Sequence, residues 1–157
     1  MSNSPKENLE KLGINLPAPV APVANYVPYT QSGTLYSISG QVPIEDGNLP
    51  FTGKVGVDIS EEEGAKAARL CGINIIAQIN AICDGDLSRV NRIVKLGGFV
   101  NCADGFGNQP EVVNGASDLM VEVFGDKGKH SRSAVGTNAL PRNVSVEIDA
   151  LVDIADA

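Results

Sequence analysis

At 157 residues, with 43% hydrophobic and 20% charged side chains, the chain suits one domain with a core of its own. Twelve basic against nineteen acidic residues give a net charge of -7, which argues against a general affinity for nucleic acid, since phosphate contacts need clustered Lys and Arg. There is no tryptophan and aromatics make up only 4%, so Val, Ile, Leu and Ala must build the core.

The N-terminal residues 1–13 read as a short helix. Ser4 caps it, Pro5 fits the first helical position, Glu7 completes a capping box, and Gly13 suits the stop. Residues 15–24 alternate proline with small apolar groups, an extended pattern expected to form a strap across the surface; a disordered leader has the same composition. Residues 1–25 are therefore set apart from a single domain over 26–157. Tyr26–Ser32 and Thr34–Gln41 read as a hairpin around Ser32-Gly33. Glu45-Asp46-Gly47-Asn48 signals a second reversal, with Phe51–Val57 as the returning strand.

Ser60 caps a long helix with Glu61, Glu62 and Glu63 at its positive end. Ala68, Cys71, Ile75, Ile79 and Ile82 recur at helical spacing as a buried stripe, and Asp84-Gly85-Asp86 ends it. Ile93–Val100 is a central-strand candidate whose paired glycines suggest a bulge or a close backbone approach. Pro110 starts a second helix with Val113, Ala116, Met120, Val123 and Phe124 on one side, broken by residues 125–129. The stretch Arg132–Ile154 then gives two strand-like runs about a Leu140-Pro141-Arg142-Asn143 turn. In the second run, Val144, Val146, Ile148, Ala150, Val152 and Ile154 alternate with mostly polar residues. If the two runs lie side by side, Arg132 and Glu147 reach one cleft. A sheet with helices segregated to one face is the economical solution.

Cys71, Cys83 and Cys102 show no CxxC spacing and are odd in number, so neither a disulfide framework nor a zinc site is expected. Cys71 and Cys83 fall in a helical pattern as packing residues; Cys102, ending a strand-like run, is the one to test for reactivity. The start of the sequence lacks the basic and apolar run of a signal peptide, and no stretch suits a membrane span; a reduced, cytoplasmic protein is the expectation. Lys127, Lys129, His130, Arg132 and Arg142 could form a local basic patch, although solvated loop charge explains most of them.

Three segments, in order, resemble the Rid family of reactive intermediate deaminases, also called the YjgF family and formerly labelled endoribonuclease L-PSP. They are Leu35-Tyr36-Ser37-Ile38-Ser39-Gly40-Gln41-Val42-Pro43, then Val90-Asn91-Arg92-Ile93-Val94-Lys95, then Arg132-Ser133-Ala134-Val135 through Leu140-Pro141 to Val146-Glu147-Ile148-Asp149-Ala150. The resemblance covers residues 26–154, and the extended N-terminus marks a divergent subgroup. It implies an α+β, chorismate-mutase-like (YjgF-type) mixed sheet with two helices on one face, assembled as a homotrimer with clefts between subunits. A one-sided sheet must cover its other face, which copies of itself would do.

The same resemblance implies a site. Arg132 matches the arginine that grips a substrate carboxylate, a role suited to the guanidinium fork; a structural ion pair is the alternative. Glu147 matches the glutamate that holds the attacking water. Tyr26 matches by spacing the tyrosine ahead of the Ser39-Gly40-Gln41 strand, with Asn25 standing where relatives have proline. Pro28-Tyr29 has the family's dipeptide but lies three residues too close to Ser39. Ser39 and Gly40 match residues lining the cleft, and a strand bulge explains them equally well. Ser133 and Ala134 complete the substrate-binding set. Ala134 stands where many relatives carry cysteine. His130, the only histidine, either helps set the charge near the cleft or is a loop residue with no special role.

The implied reaction is hydrolysis of a 2-imino or enamine acid to a 2-oxo acid and ammonia, with no metal or cofactor. The small carboxylate-bearing ligand and sister subunits are the expected partners, with no nucleic acid and no membrane. A non-catalytic binding protein for 2-oxo acids is the second reading and a ribonuclease the third, the latter disfavoured by acidic charge and a single histidine.

Overall fold

The computed structural model describes residues 2–22 and 24–157. Helix α1, Pro5–Lys11, carries the capping box expected of it: Ser4 Oγ accepts from the Glu7 N–H and Glu7 accepts from the Ser4 N–H. Gly13 follows its end with φ +68°. Leu9 is buried, and the Asn8 amide donates to the Val123 carbonyl at 2.9 Å. The proline-rich segment does cross the surface as a strap: Ile14 and Leu16 pack on the core, and the buried Gln78 amide donates to the Val20 carbonyl. Of the expected N-terminal helix and strap, Met1 and Val23 lie outside the described residues.

Strands β1, Tyr29–Ser32, and β2, Leu35–Gln41, form the expected hairpin, turning through Gly33 at φ +61°. The first strand starts three residues later than the sequence suggests. Pro28 has no N–H for a ladder, and the Val27 carbonyl accepts from the Ser39 hydroxyl at 2.8 Å instead. Residues Phe51–Val57 do not form a returning strand; they make only isolated bridges, Thr52 to Val144 and Val55 to Ile59 and Cys102. Gly53 at φ +100° and Gly56 at φ +91° turn the backbone out of extended geometry there.

Helix α2, Glu61–Ile82, opens on a Ser60/Glu63 capping box and buries Ala68, Cys71, Ile75 and Ile79 of the expected stripe, while its last member, Ile82, is only partly buried. Strand β3, Val90–Asn101, follows, then α3, Gln109–Phe124, with Pro110 in its first turn. Strands β4, Ser131–Thr137, and β5, Val146–Ile154, end the domain. The sheet order is β1-β2-β5-β3-β4, with β3 and β4 parallel and all other neighbours antiparallel. The two long helices pack together on one face. Thus β4 and β5 are not side by side, contrary to the sequence expectation; β3 lies between them. The cause is α3. A helix joining β3 to β4 returns the chain parallel to β3 at the sheet edge, leaving the central slot for β5.

The connection from β4 to β5 crosses the end of β3 and is held by buried polar groups. The Asn101 amide donates to the Val144 carbonyl at 3.2 Å and to Asn143 Oδ1 at 3.4 Å, while the Lys54 ammonium reaches Asn101 Oδ1 and the Asn138 carbonyl. Within that connection Arg142 and Asn143 adopt left-handed backbone, φ +56° and +58°.

The paired glycines of β3 are close-approach positions. A Cβ on Gly98 would lie 2.6 Å from the Val113 side chain, and one on Gly97 would lie 2.3 Å from Asp149 Oδ1. The ladder irregularities of β3 fall elsewhere, between Val90 and Lys95.

Candidate functional site

The alternation of β5 sends Val146, Ile148, Ala150, Val152 and Ile154 into the core and Glu147 and Asp149 to the open face. Across from them β2 is irregular. Ile38 pairs with Ala150 and Gln41 with Ile148, so Ser39 and Gly40 together oppose Asp149 alone. Ser39-Gly40 is therefore a bulge, and it also lines a cavity. Glu147 stands over Gly40 so closely that a Cβ there would meet Oε1 at 2.3 Å. Only glycine leaves that carboxylate its place.

The cavity has a volume of about 320 Å³, within the range of small-molecule sites. Tyr26, Ser39, Gly40 and Glu147 line it together with Arg142. Tyr26 is half exposed. The Ser39 hydroxyl and N–H bind the Val27 and Pro28 carbonyls, and this stitching holds the segment carrying Tyr26 against β2. Arg142 is the only basic group among the described lining residues. Sequence reasoning placed it in a turn and assigned it nothing in the cleft. Its left-handed backbone was the hidden signal.

Burial holds the Glu147 carboxyl above its ordinary range, and the neighbouring Asp149 carboxylate pushes the same way. Asp149 is also raised by burial, opposed by the Gly97 N–H and by Lys95. A carboxyl whose folded pKa is raised binds its proton more tightly in the native state than in the unfolded chain. Its charging therefore costs stability as pH climbs through the raised value, and that cost is absent below the ordinary glutamate range. Glu147→Gln is expected to melt above wild type near neutral pH, with the gap closing in acid. A thermal melt series across pH checks this; a lower melting temperature at neutrality contradicts it.

Arg132, Ser133 and Ala134 do not line this cavity in the same chain. Arg132 pairs with Leu96, whose side chain is in the core, so the arginine points to the helix face. Its Nη1 donates to Asn114 Oδ1 at 2.8 Å and Ser117 Oγ at 3.1 Å, and Nη2 donates to the Pro110 carbonyl at 3.2 Å. A guanidinium has five N–H donors, so Nε–H and one Nη2 N–H are left for a ligand. Glu147 pairs with Phe99, three residues along β3 from Leu96. The two side chains are thus roughly 10 Å apart across the sheet, roughly 10 Å apart along it, and on opposite faces. Ala134 sits partly buried on the helix side. Ser133 faces the open side, in a shallow depression shared with Ser39, Gly40 and Asp149.

His130 is a partner of the arginine's support. Its Nδ1–H donates to the Gly128 carbonyl at 2.6 Å, which leaves Nε2 to accept from the Ser117 hydroxyl at 2.9 Å. Ser117 in turn accepts from Arg132, so imidazole, hydroxyl and guanidinium form one chain of hydrogen bonds. Cys102 is only 8% exposed, with the Gln109 amide 3.7 Å from its sulfur, away from the cavity. No group of His, Cys, Asp and Glu among the described residues is arranged to hold a metal ion. No helix among them is long and apolar enough to cross a membrane.

A mixed five-stranded sheet with helices on one face, open on the other, and a carboxylate seated over a glycine bulge defines a chorismate-mutase-like α+β domain. Residues 6–153 match the family model described as "YjgF/chorismate_mutase-like, putative endoribonuclease", and the chain belongs to that family. It is 47% identical over 148 residues to Protein TCP17 of Trypanosoma cruzi, covering 94% of this chain and 92% of that one. The crystal structure of Atu1372 from Agrobacterium tumefaciens, whose function is unknown, matches with TM-score 0.90 and 47% identity over 96% of this chain and 92% of its own. A "putative endoribonuclease" from Shewanella oneidensis MR-1 matches with TM-score 0.93 and 36% identity, over 97% of this chain and 100% of its own.

Proposed function

We propose that the protein hydrolyses 2-imino and enamine acids to 2-oxo acids and ammonia, at a cleft that combines Glu147 and Tyr26 of one subunit with Arg132 of a neighbour in a homotrimer. The observation that carries this reading is the half-buried Glu147 carboxylate held over Gly40 in a cavity of amino-acid size. Its raised pKa makes it a stronger base than a solvated glutamate. The open sheet face supports self-association, because it exposes Leu35, Phe99 and Val135 on a surface with no helix to cover it. A neighbour's edge strand β4 packed there would bring Arg132 with two unspent donors, the number one bidentate carboxylate contact uses.

In the reaction, Arg132 and the strand Ser133-Ala134 hold the substrate carboxylate and orient the iminium nitrogen. Glu147 takes a proton from a water as its oxygen bonds to C2, and the C=N π electrons move to nitrogen. The proton then passes to the amine, the C–N bond breaks with its electrons on nitrogen, and the hydroxyl proton is lost as the 2-oxo acid forms. Tyr26 and Ser39 fix the water and substrate by hydrogen bonding. Positioning supplies most of what so reactive a substrate requires. Ribonuclease action has less support: the chain carries net charge -7, and one arginine is the sole cation among the described cavity residues.

The test generates an imino acid in place with an amino-acid oxidase and follows ammonia release. Wild-type protein should accelerate release, and Arg132→Ala should lose at least tenfold of that acceleration. No acceleration by wild type, or an unaffected Arg132→Ala, overturns the enzyme reading; oxo-acid binding without acceleration would leave a ligand-binding protein.

A further inference from the structure

Beyond its polar floor, the cavity has an apolar wall that the reaction does not use. Val20, Ala21 and Pro22 of the strap form one part, and Ile44 and Leu49 form another. Neither part belongs to the sheet, yet both are fixed by the same helix. Gln78 donates to the Val20 carbonyl at 3.0 Å, and Asn74 donates to the Val42 and Ile44 carbonyls at 3.0 and 3.1 Å. Each of these amides is only 2% exposed. They lie four residues apart, one turn of α2, so one helix face anchors both sides of the wall. Buried amides spent on fixing loop carbonyls are costly to lose, because removal strands the partner. Their one signature is that Asn74 and Gln78 stand a helical turn apart in the largely apolar second half of α2.

We infer that this strap-built wall is a subsite for the substrate's side chain, and that the substrates are imino acids with medium aliphatic or aromatic side chains rather than small or dicarboxylic ones. The inference rests on the deaminase reading for the word substrate, but its binding test does not. With the reacting carbon beside Glu147 and the carboxylate at Arg132, the remaining substituent of C2 is directed to the rest of the cavity. There it meets Ala21, Pro22, Ile44 and Leu49. Arg142, exposed, offers a charge that an acidic side chain could use instead. The apolar groups around it outnumber that one cation, and an aliphatic chain gains from each of them.

Calorimetric titration of the full-length protein with pyruvate, 2-oxobutanoate, 2-oxopentanoate, 4-methyl-2-oxopentanoate and 2-oxoglutarate tests this. Each added methylene should tighten binding roughly fourfold, the equivalent of about 0.8 kcal/mol. Ala21→Asp, a change at an exposed position, should flatten the series, read as the ratio of 2-oxopentanoate to pyruvate affinity. A flat wild-type series overturns the subsite, as does 2-oxoglutarate binding more tightly than 2-oxopentanoate, or an Ala21→Asp series as steep as wild type. A steep series without imine hydrolysis overturns the deaminase reading alone. A flat series, or failure to bind any of the five, with hydrolysis intact overturns only the subsite.

Discussion

On the proposed shared cleft, trimers containing both Arg132→Ala and Glu147→Gln protein should recover about a third of wild-type imine hydrolysis, although each variant alone loses at least tenfold. The expectation follows from the sheet order. With β3 between β4 and β5, and the two side chains on opposite faces, one chain cannot bring its own Arg132 to its own Glu147. A cleft shared by two chains needs the arginine from one and the glutamate from the other. In any trimer holding both variants, about one cleft in three draws both intact residues. Co-expression with distinct affinity tags, followed by purification through both, gives the hybrid. Activity that stays at the level of the single variants refutes the shared cleft, provided native mass measurement shows mixed trimers. The experiment also separates assembly from chemistry, since hybrids can form and remain inactive.

The largest expected effect on stability is at Gly115, far from the cavity. A Cβ there would lie 2.0 Å from the Ala65 carbonyl oxygen and 3.1 Å from the Arg69 nitrogen, both backbone atoms of α2. Backbone in a helix cannot swing aside as a side chain does, so the two helices must separate. Overpacking of this kind costs about 3 kcal/mol, at the upper end of its usual range. For a chain of this length that lowers the melting temperature by roughly 10 °C. Gly107→Ala is the matched control. Its Cβ would meet nothing within 4 Å, so its melting temperature should stay close to wild type. Equal melting temperatures for Gly115→Ala and Gly107→Ala would refute the helix contact as a determinant of stability.

What could be read in advance divides by the kind of information needed. Ser4 and Ser60 announced their helices because a capping box is a local bond pattern. The alternation of Val146–Ile154 gave the buried face of β5, because side-chain direction in a strand depends only on parity. Neighbour order does not. Nothing in the runs about Leu140-Pro141 states that β3 will come between them; that depends on the crossover through α3. The residues of the candidate site were named by resemblance, yet their division into a Glu147 half and an Arg132 half required the topology. Gln78 and Asn74 were passed over because a helical stripe counts apolar positions and is silent about amides that bind distant carbonyls. The expected strand over Phe51–Val57 failed at Gly53 and Gly56, whose positive φ turns the backbone out of extended geometry.

The central place of β5 has a consequence for how the protein is made. Leu35 finds its partner at Asp153, and Val90 finds its own at Ile154, so the last strand joins two parts of the sheet synthesised much earlier. Until the ribosome has released that strand, the early hairpin has no sheet to join and β3 shows an unpaired edge. Pairings so remote in sequence form slowly, and exposed strand edges invite association with other nascent chains. The interval between emergence of β3 and emergence of β5 is therefore when the strand edges of this chain are most open to association.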